Sequence, residues 1–172
     1  VDGSSFARDS GIRIAPLSGY TVAGPSVIRL SDGTYRMYFE EYPFPTTQQS
    51  GKIYGATSFD GLSWTRDSST SIEYSDGIED SGCSDCFSQV LHPFVMAWSG
   101  GGYIMLYNSH SRLFSAHSWD GYVWTKLGQL NGITRGADAD IVIDPEGRYR
   151  IYYGDYSQST LGVIYSGILT AQ

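Results

Sequence analysis

The chain repeats itself, and the repeat constrains its fold more than any other feature of the 172 residues. Three segments align without gaps around a tight turn. The first runs from Gly24-Pro25-Ser26-Val27 through Asp32-Gly33 to Tyr35-Arg36-Met37-Tyr38. The second runs from His92-Pro93-Phe94-Val95 through Gly101-Gly102 to Tyr103-Ile104-Met105-Leu106. The third runs from Asp138-Ala139-Asp140-Ile141 through Glu146-Gly147 to Tyr149-Arg150-Ile151-Tyr152. An Asp-Gly or Gly-Gly pair between β-rich runs predicts a hairpin, because glycine accepts the positive φ that the turn demands. The strands after the turn are apolar or aromatic at most positions, as expected of strands covered on both faces.

A second hairpin follows the first. It reads Ile53-Tyr54-Gly55-Ala56-Thr57-Ser58-Phe59-Asp60-Gly61-Leu62-Ser63-Trp64-Thr65 in one repeat. In the next it reads Leu113-Phe114-Ser115-Ala116-His117-Ser118-Trp119-Asp120-Gly121-Tyr122-Val123-Trp124-Thr125. Two consecutive hairpins make a four-stranded meander, the unit of a β-propeller. The chain is therefore expected to be all-β, a single propeller-type domain of three blades. Their expected bounds are about 24–68, 92–128 and 138–169. The third repeat lacks a fourth strand. Its counterpart lies at the other end, where Asp2 to Ser10 matches Asp60 to Ser68 in register. Residues 2–14 are thus expected to complete the third blade, of this chain or of a neighbouring copy. Residues 67–91 have no counterpart and are expected to form a connecting loop.

The net charge of −7 and the scattering of the 11 Lys and Arg argue against nucleic acid, which selects a basic stripe. No apolar run is long enough to cross a bilayer as a helix. Cys83 and Cys86 form a CxxC pair with no second pair, so no zinc site and no other metal or cofactor is expected. The pair allows a small-loop disulfide in an oxidising compartment, which favours a secreted or periplasmic setting.

Meander geometry also predicts where a site belongs. The starts of the inner strands and the loops after the second strands share one face, and loops on a rigid scaffold carry function. That face collects Asp138, Glu40, Glu41 and Asp155 as candidate catalytic carboxylates. His92, Asp140, Tyr42, Asn108, His110, Tyr156 and Arg135 are candidate ligand contacts. Paired carboxylates are the machinery of glycoside hydrolysis, one held protonated and the other ionised. Tyrosines such as Tyr42, Tyr122 and Tyr156 offer faces on which sugar rings stack.

At these residues the chain resembles the five-bladed propeller glycosidases, the arabinanase, fructosidase and mannoside-phosphorylase-like group. The Pro-flanked inner strand followed by Asp32-Gly33-Thr34-Tyr35-Arg36-Met37-Tyr38 carries the likeness. So does Ala56-Thr57-Ser58-Phe59-Asp60-Gly61-Leu62-Ser63-Trp64, with its echo at Ala116 to Trp124. The resemblance implies a catalytic aspartate at an inner-strand start, and Asp138 alone fits, since Gly24 and His92 fill the other two starts. It also implies a general-acid glutamate on another inner strand, a position no glutamate occupies here; Glu40 or Glu41 would have to act from a loop. Five blades of about 45 residues exceed this chain. A two-fold dimer of six blades, or a piece of a larger propeller, reconciles the count. The functions left open are a glycosidase, a non-catalytic sugar-binding module and a scaffold propeller.

Overall fold

A computed structural model describes residues 5–45, 50–79, 88–155 and 162–170. It holds three antiparallel sheets in chain order. The first contains β1 (Tyr20–Arg29), β2 (Tyr35–Pro43), β3 (Lys52–Ser58) and β4 (Thr65–Ile72). A single helical turn, α1 (Asp76–Glu79), leads on. The second sheet contains β5 (Leu91–Ala97), β6 (Tyr103–Ser109), β7 (Arg112–Ser118) and β8 (Thr125–Gln129). The third contains β9 (Ala137–Ile143), β10 (Tyr149–Asp155) and β11 (Val163–Ile168). Each sheet is an up-and-down meander, so each is a blade. The inner strands β1, β5 and β9 pack on one another in sequence. Among the described residues no helix is long and apolar enough to cross a membrane.

The turns between outer strands form because their side chains bond their own backbone. Ser58 Oγ accepts from Gly61 N (2.8 Å), and Asp60 Oδ1 accepts from Leu62 N (2.8 Å) and Ser63 N (2.7 Å). Ser118 and Asp120 repeat the pattern on Gly121, Tyr122 and Val123. Gly61 and Gly121 take φ of 72° and 79°, a region that penalises any Cβ. The backbone N–H groups of Ser63 and Leu62 hold the Asp60 carboxyl well below the usual range. Those of Val123 and Tyr122 do the same for Asp120. These aspartates are built into turns, as their sequence setting implied.

The blades stack through two apolar layers. Between the first and second lie Leu30, Tyr38, Ile53, Ile72, Val95, Met105, Tyr107 and Phe114. Between the second and third lie Ile104, Leu106, Leu113, Ala139, Ile141 and Ile151. Each of the Leu, Ile, Val, Met and Phe side chains among them contributes about 1.5–3 kcal/mol by leaving water. Polar groups fix the register of the first layer. Tyr38 donates its hydroxyl to the Gly121 carbonyl (2.6 Å), and Arg36 Nε donates to the same oxygen (3.3 Å). Arg36 is fully buried and pairs with Asp67 at 2.6 Å. Burial works against its charge, but the bonds to Asp67 outweigh that and raise its pKa. A Cβ on Gly55 would collide with both partners, so only glycine fits beneath this pair.

Two expectations are corrected here. The stretch from Asp67 is not yet a loop: β4 runs to Ile72, whose side chain is buried in the first layer. The chain leaves the sheet only afterwards, and buried Glu79 then pins α1 to the second blade through Tyr107 (2.7 Å) and Lys126 (2.8 Å). The third blade has three described strands. Of the two blades that the expectation allowed, the described residues exclude that of the same chain: residues 5–14 form no strand against β11, while 2–4 lie outside the described residues. Instead Ile14 packs against Met37, Phe39 and Ala56, on the face of the first blade that points away from the second. That apolar face has no neighbouring blade in the chain and takes up the nearest aliphatic side chain. Cys83 and Cys86 also lie outside the described residues.

Candidate functional site

The site follows from a distortion that each inner strand shares. The pairing of β1 with β2 slips between Ala23 and Ser26, that of β5 with β6 between Leu91 and Phe94, and that of β9 with β10 opposite Tyr152 and Gly154. The three repeat-equivalent residues at these bulges all take left-handed backbone: Gly24 at φ 57°, His92 at 53° and Asp138 at 52°. Glycine adopts that region freely, whereas a histidine or aspartate is held there against a cost of order 1–3 kcal/mol. The bulges turn the second and third side chains toward one space.

In that space His92 Nδ1 lies 3.3 Å from Asp138 Oδ1 and 3.7 Å from Glu40 Oε2. The two carboxylate oxygens are therefore at most about 7 Å apart. Glu40 Oε2 also accepts the His92 backbone N–H at 2.7 Å. It rests on Gly24, where an added Cβ would come within 3.4 Å of it. Glu40 is 2% exposed, while the Asp138 side chain is 49% and the His92 side chain 34% exposed. One sealed carboxylate thus backs an imidazole, which backs an open carboxylate. With carboxylates facing Nδ1, that nitrogen carries a proton and donates toward them, which fixes the orientation of the ring.

Asn108 is the repeat equivalent of Glu40, one blade further on. It is 9% exposed, and its Oδ1 has no hydrogen-bond partner among the described residues. His110, at φ 51°, approaches Ser109 Oγ through Nδ1 (3.0 Å), while its buried Nε2 likewise lacks a partner. Two buried polar atoms of this kind at the ends of second strands are ready to bond a ligand or water.

The remaining candidates go elsewhere. Glu40, Glu41 and Tyr42 were expected in a loop, but β2 continues to Pro43 and stays paired with β1. Side chains of a strand alternate, so Glu41 falls on the opposite face from Glu40. There it forms a two-pronged pair with Arg66 (2.6 and 2.7 Å), and Arg66 lies over the Phe39 and Tyr54 rings. Glu41 is a strut, buried and satisfied. Tyr42 is half-buried and shares Glu40's side of the strand. Asp140 points away from the second blade, between buried Ala139 and Ile141, and its Oδ1 accepts the Ile141 N–H (2.7 Å). Asp155 ends β10 half-buried, opposite Val163. Arg135 is exposed, with no ion pair among the described residues. The Tyr122 ring is occupied by the Arg36 guanidinium at 4.3 Å. Tyr156 lies outside the described residues. Among the described residues no group of His, Cys, Asp and Glu is arranged to hold a metal ion.

A cleft of about 830 Å³ opens between the second and third blades, lined by Ile104, Leu106, Leu127, Ile151, Tyr153 and Gly167. It shares no residue with the His92 cluster. Sequence reasoning named the members of that cluster but missed the shared bulge. Gly24 was its one visible trace, a glycine in the middle of β1.

No protein-family model and no curated protein matches the chain. Solved structures do. A candidate glycoside hydrolase from Parabacteroides distasonis is 18% identical with a TM-score of 0.71, covering 95% of this chain and 56% of its own. A family 117 glycoside hydrolase from the marine bacterium Zobellia galactanivorans is 18% identical with a TM-score of 0.66, covering 87% and 52%. An endo-arabinase from Bacteroides thetaiotaomicron is 18% identical with a TM-score of 0.64, covering 91% and 58%. The chain thus has the propeller fold of this group of glycoside hydrolases and spans about half the length of these structures.

Proposed function

We propose that this chain, with the fold of the propeller glycoside hydrolases, is a carbohydrate-active protein, and that Asp138 and His92 are the groups that meet the sugar. The observation that carries this reading is the convergence of the three inner-strand bulges on His92, with Asp138 at 3.3 Å and Glu40 at 3.7 Å. A carboxylate beside an imidazole presents acceptors to vicinal hydroxyl groups, the feature every sugar offers. Asp138 has the exposure to reach a ligand. Glu40 does not: it orients His92 from beneath and is a positioning residue. The orphaned Asn108 Oδ1 and His110 Nε2 extend the polar lining toward the next strand ends.

Hydrolysis by paired carboxylates is the second reading. The upper limit of about 7 Å between the Glu40 and Asp138 oxygens overlaps the roughly 5–9.5 Å at which glycosidase pairs stand. It requires Glu40 to reach the glycosidic oxygen, which its burial opposes. Binding of sugar without cleavage needs no such movement and is the reading the geometry supports better.

A glycan array, followed by titration calorimetry on any hit, tests binding. Incubation with aryl glycosides, arabinan, xylan and fructan tests cleavage. Asp138→Asn is expected to weaken sugar binding at least tenfold, with the melting temperature retained. Product that vanishes in Asp138→Asn would establish hydrolysis. Neither binding nor product from the wild-type chain would end the carbohydrate reading.

A further inference from the structure

Four departures of the second blade from the first converge on one side chain. Where the first repeat has Thr34, Thr57, Phe59 and Ser63, the second has Gly102, His117, Trp119 and Val123. These positions meet where the turn of the inner hairpin lies beside the turn of the outer one, because Tyr35 pairs with Ser58 and Tyr103 with Ser118. A Cβ on Gly102 would collide with the Ser118 carbonyl oxygen and the Trp119 Cα, so only glycine admits the outer turn this closely. A Cβ on Gly101 would lie 2.8 Å from Trp119 Cζ3 and at least 3.6 Å from the ring atoms on either side. The edge of the indole therefore rests on that glycine. His117 Nε2 donates to the Gly101 carbonyl (2.9 Å), and its ring stands at 81° to the indole with centroids 4.7 Å apart. On the first blade a Cβ at Gly33 would meet Arg29 and not Phe59.

Held in this way, Trp119 is nevertheless 75% exposed, so the indole keeps a bare face. Trp64 and Trp124 pack against the cores of their blades, but Trp119 buries too little area to serve packing. The rim of the ring is polar. Its Nε1 donates to no group among the described residues. Beside it, Asp120 turns Oδ1 toward Ser118 Oγ (3.0 Å) and the N–H groups of Tyr122 and Val123 (2.8 and 2.9 Å). On the first blade the other carboxylate oxygen, Asp60 Oδ2, accepts from Ser63 Oγ (3.1 Å). Val123 replaces that serine, which leaves Asp120 Oδ2 as an acceptor facing outward.

We propose that Trp119 is a second carbohydrate contact, a fixed indole that stacks on a sugar ring of a polysaccharide; the assignment rests on the carbohydrate reading of the His92 cluster. The C–H face of a pyranose is flat and apolar and matches the bare indole. Its hydroxyl groups fall at the rim, where Trp119 Nε1 donates and Asp120 Oδ2 accepts. A ring already held by Gly101 and His117 loses little freedom on binding. The two sites stand at opposite ends of the sheet. The strand β7 begins at Arg112, at the end that carries the cluster, and finishes at Ser118 beside Trp119. Seven residues of strand span roughly 20 Å. A short oligosaccharide seated on the cluster therefore does not touch Trp119. A polymer engages both sites, and the second contact raises its retention by avidity.

Affinity electrophoresis through gels holding arabinan, xylan or fructan reads retention by polymer, and titration calorimetry with the matching oligosaccharides reads the cluster. Trp119→Ala is expected to weaken polymer retention about tenfold, for loss of one stacking face. It leaves oligosaccharide affinity and melting temperature unchanged, because the ring is exposed. Trp119→Tyr restores an aromatic face and is expected to recover most of the retention. Asp138→Asn shows the converse, losing the oligosaccharide while keeping the part of polymer retention that depends on Trp119. Undiminished polymer retention by Trp119→Ala would overturn the inference and leave the reading of the cluster standing. Oligosaccharide binding with no retention by any polymer would do the same. An exposed indole also attracts cations. Retardation by polylysine, lost in Trp119→Ala, with none by polysaccharide would overturn the inference in favour of a cationic ligand. If neither oligosaccharide nor polymer binds, the carbohydrate reading of the cluster falls and this assignment falls with it.

Discussion

Replacing Gly121 with alanine, beside the same change at Gly61, measures how the first two blades hold together. The two glycines occupy the same place in the same turn, with φ of 79° and 72°. Both substitutions force alanine into the left-handed region, at about 1–2 kcal/mol. Both recover roughly 0.4–1 kcal/mol by restricting the unfolded chain. At Gly61 nothing lies within 4 Å of the new methyl group, so the net loss is about 1 kcal/mol. At Gly121 the methyl group comes within 2.8 Å of Leu30 Cδ2 and 3.2 Å of the Tyr38 hydroxyl. Leu30 and Tyr38 are both buried and have no room to withdraw. Overpacking of this kind adds about 1–3 kcal/mol. It also loosens the two hydrogen bonds that Tyr38 and Arg36 make to the Gly121 carbonyl. The total is about 2–4 kcal/mol for Gly121→Ala. For a chain of this size one kcal/mol moves the melting temperature by about 2–4 °C. Calorimetric scans are therefore expected to show a fall of about 2–4 °C for Gly61→Ala and about 5–15 °C for Gly121→Ala. Equal shifts in the two variants would refute the reasoning, because they would mean that the second turn is not wedged into the first blade.

Removing Asp67 strands the buried Arg36 charge, and Asp67→Ala is expected to cost roughly 3–5 kcal/mol in urea unfolding. Part of that loss should be recovered in the double variant with Arg36→Met, which removes the orphaned charge. The turn aspartates set an acid limit. Asp60 and Asp120 have folded pKa values below their unfolded ones. The stability they contribute is present above the unfolded value of about 3.9 and is lost as pH falls through the folded values. Asn in place of both keeps the turn acceptor but does not titrate, so the double variant is expected to show a flatter melting temperature between about pH 2 and 5.

The repeat made most of the fold readable. Asp60-Gly61 and Asp120-Gly121 encode their turns through short-range bonds between neighbouring residues, and such bonds are written in adjacent letters. The apolar runs of β2 and β6 did the same for strands covered on both faces. The site was readable only in part. Asp138, His92 and Glu40 were all named, but so were Glu41 and Asp140, which face other ways. Adjacent carboxylates look alike in a sequence until one knows whether the segment is loop or strand. Here β2 continued to Pro43 because β1 kept pairing with it across the bulge, and one residue of alternation then separated a positioning group from a strut.

By itself, then, the sequence determined the three-blade meander, its turns and the register in which residues 2–10 match residues 60–68. Those depend on periodicity and on contacts close along the chain. Only the tertiary structure decided that His92, Asp138 and Glu40 share one space, and that Ile14 packs on the first blade. Those outcomes depend on which blade faces lie side by side, a matter of packing between segments far apart in sequence that no local pattern specifies.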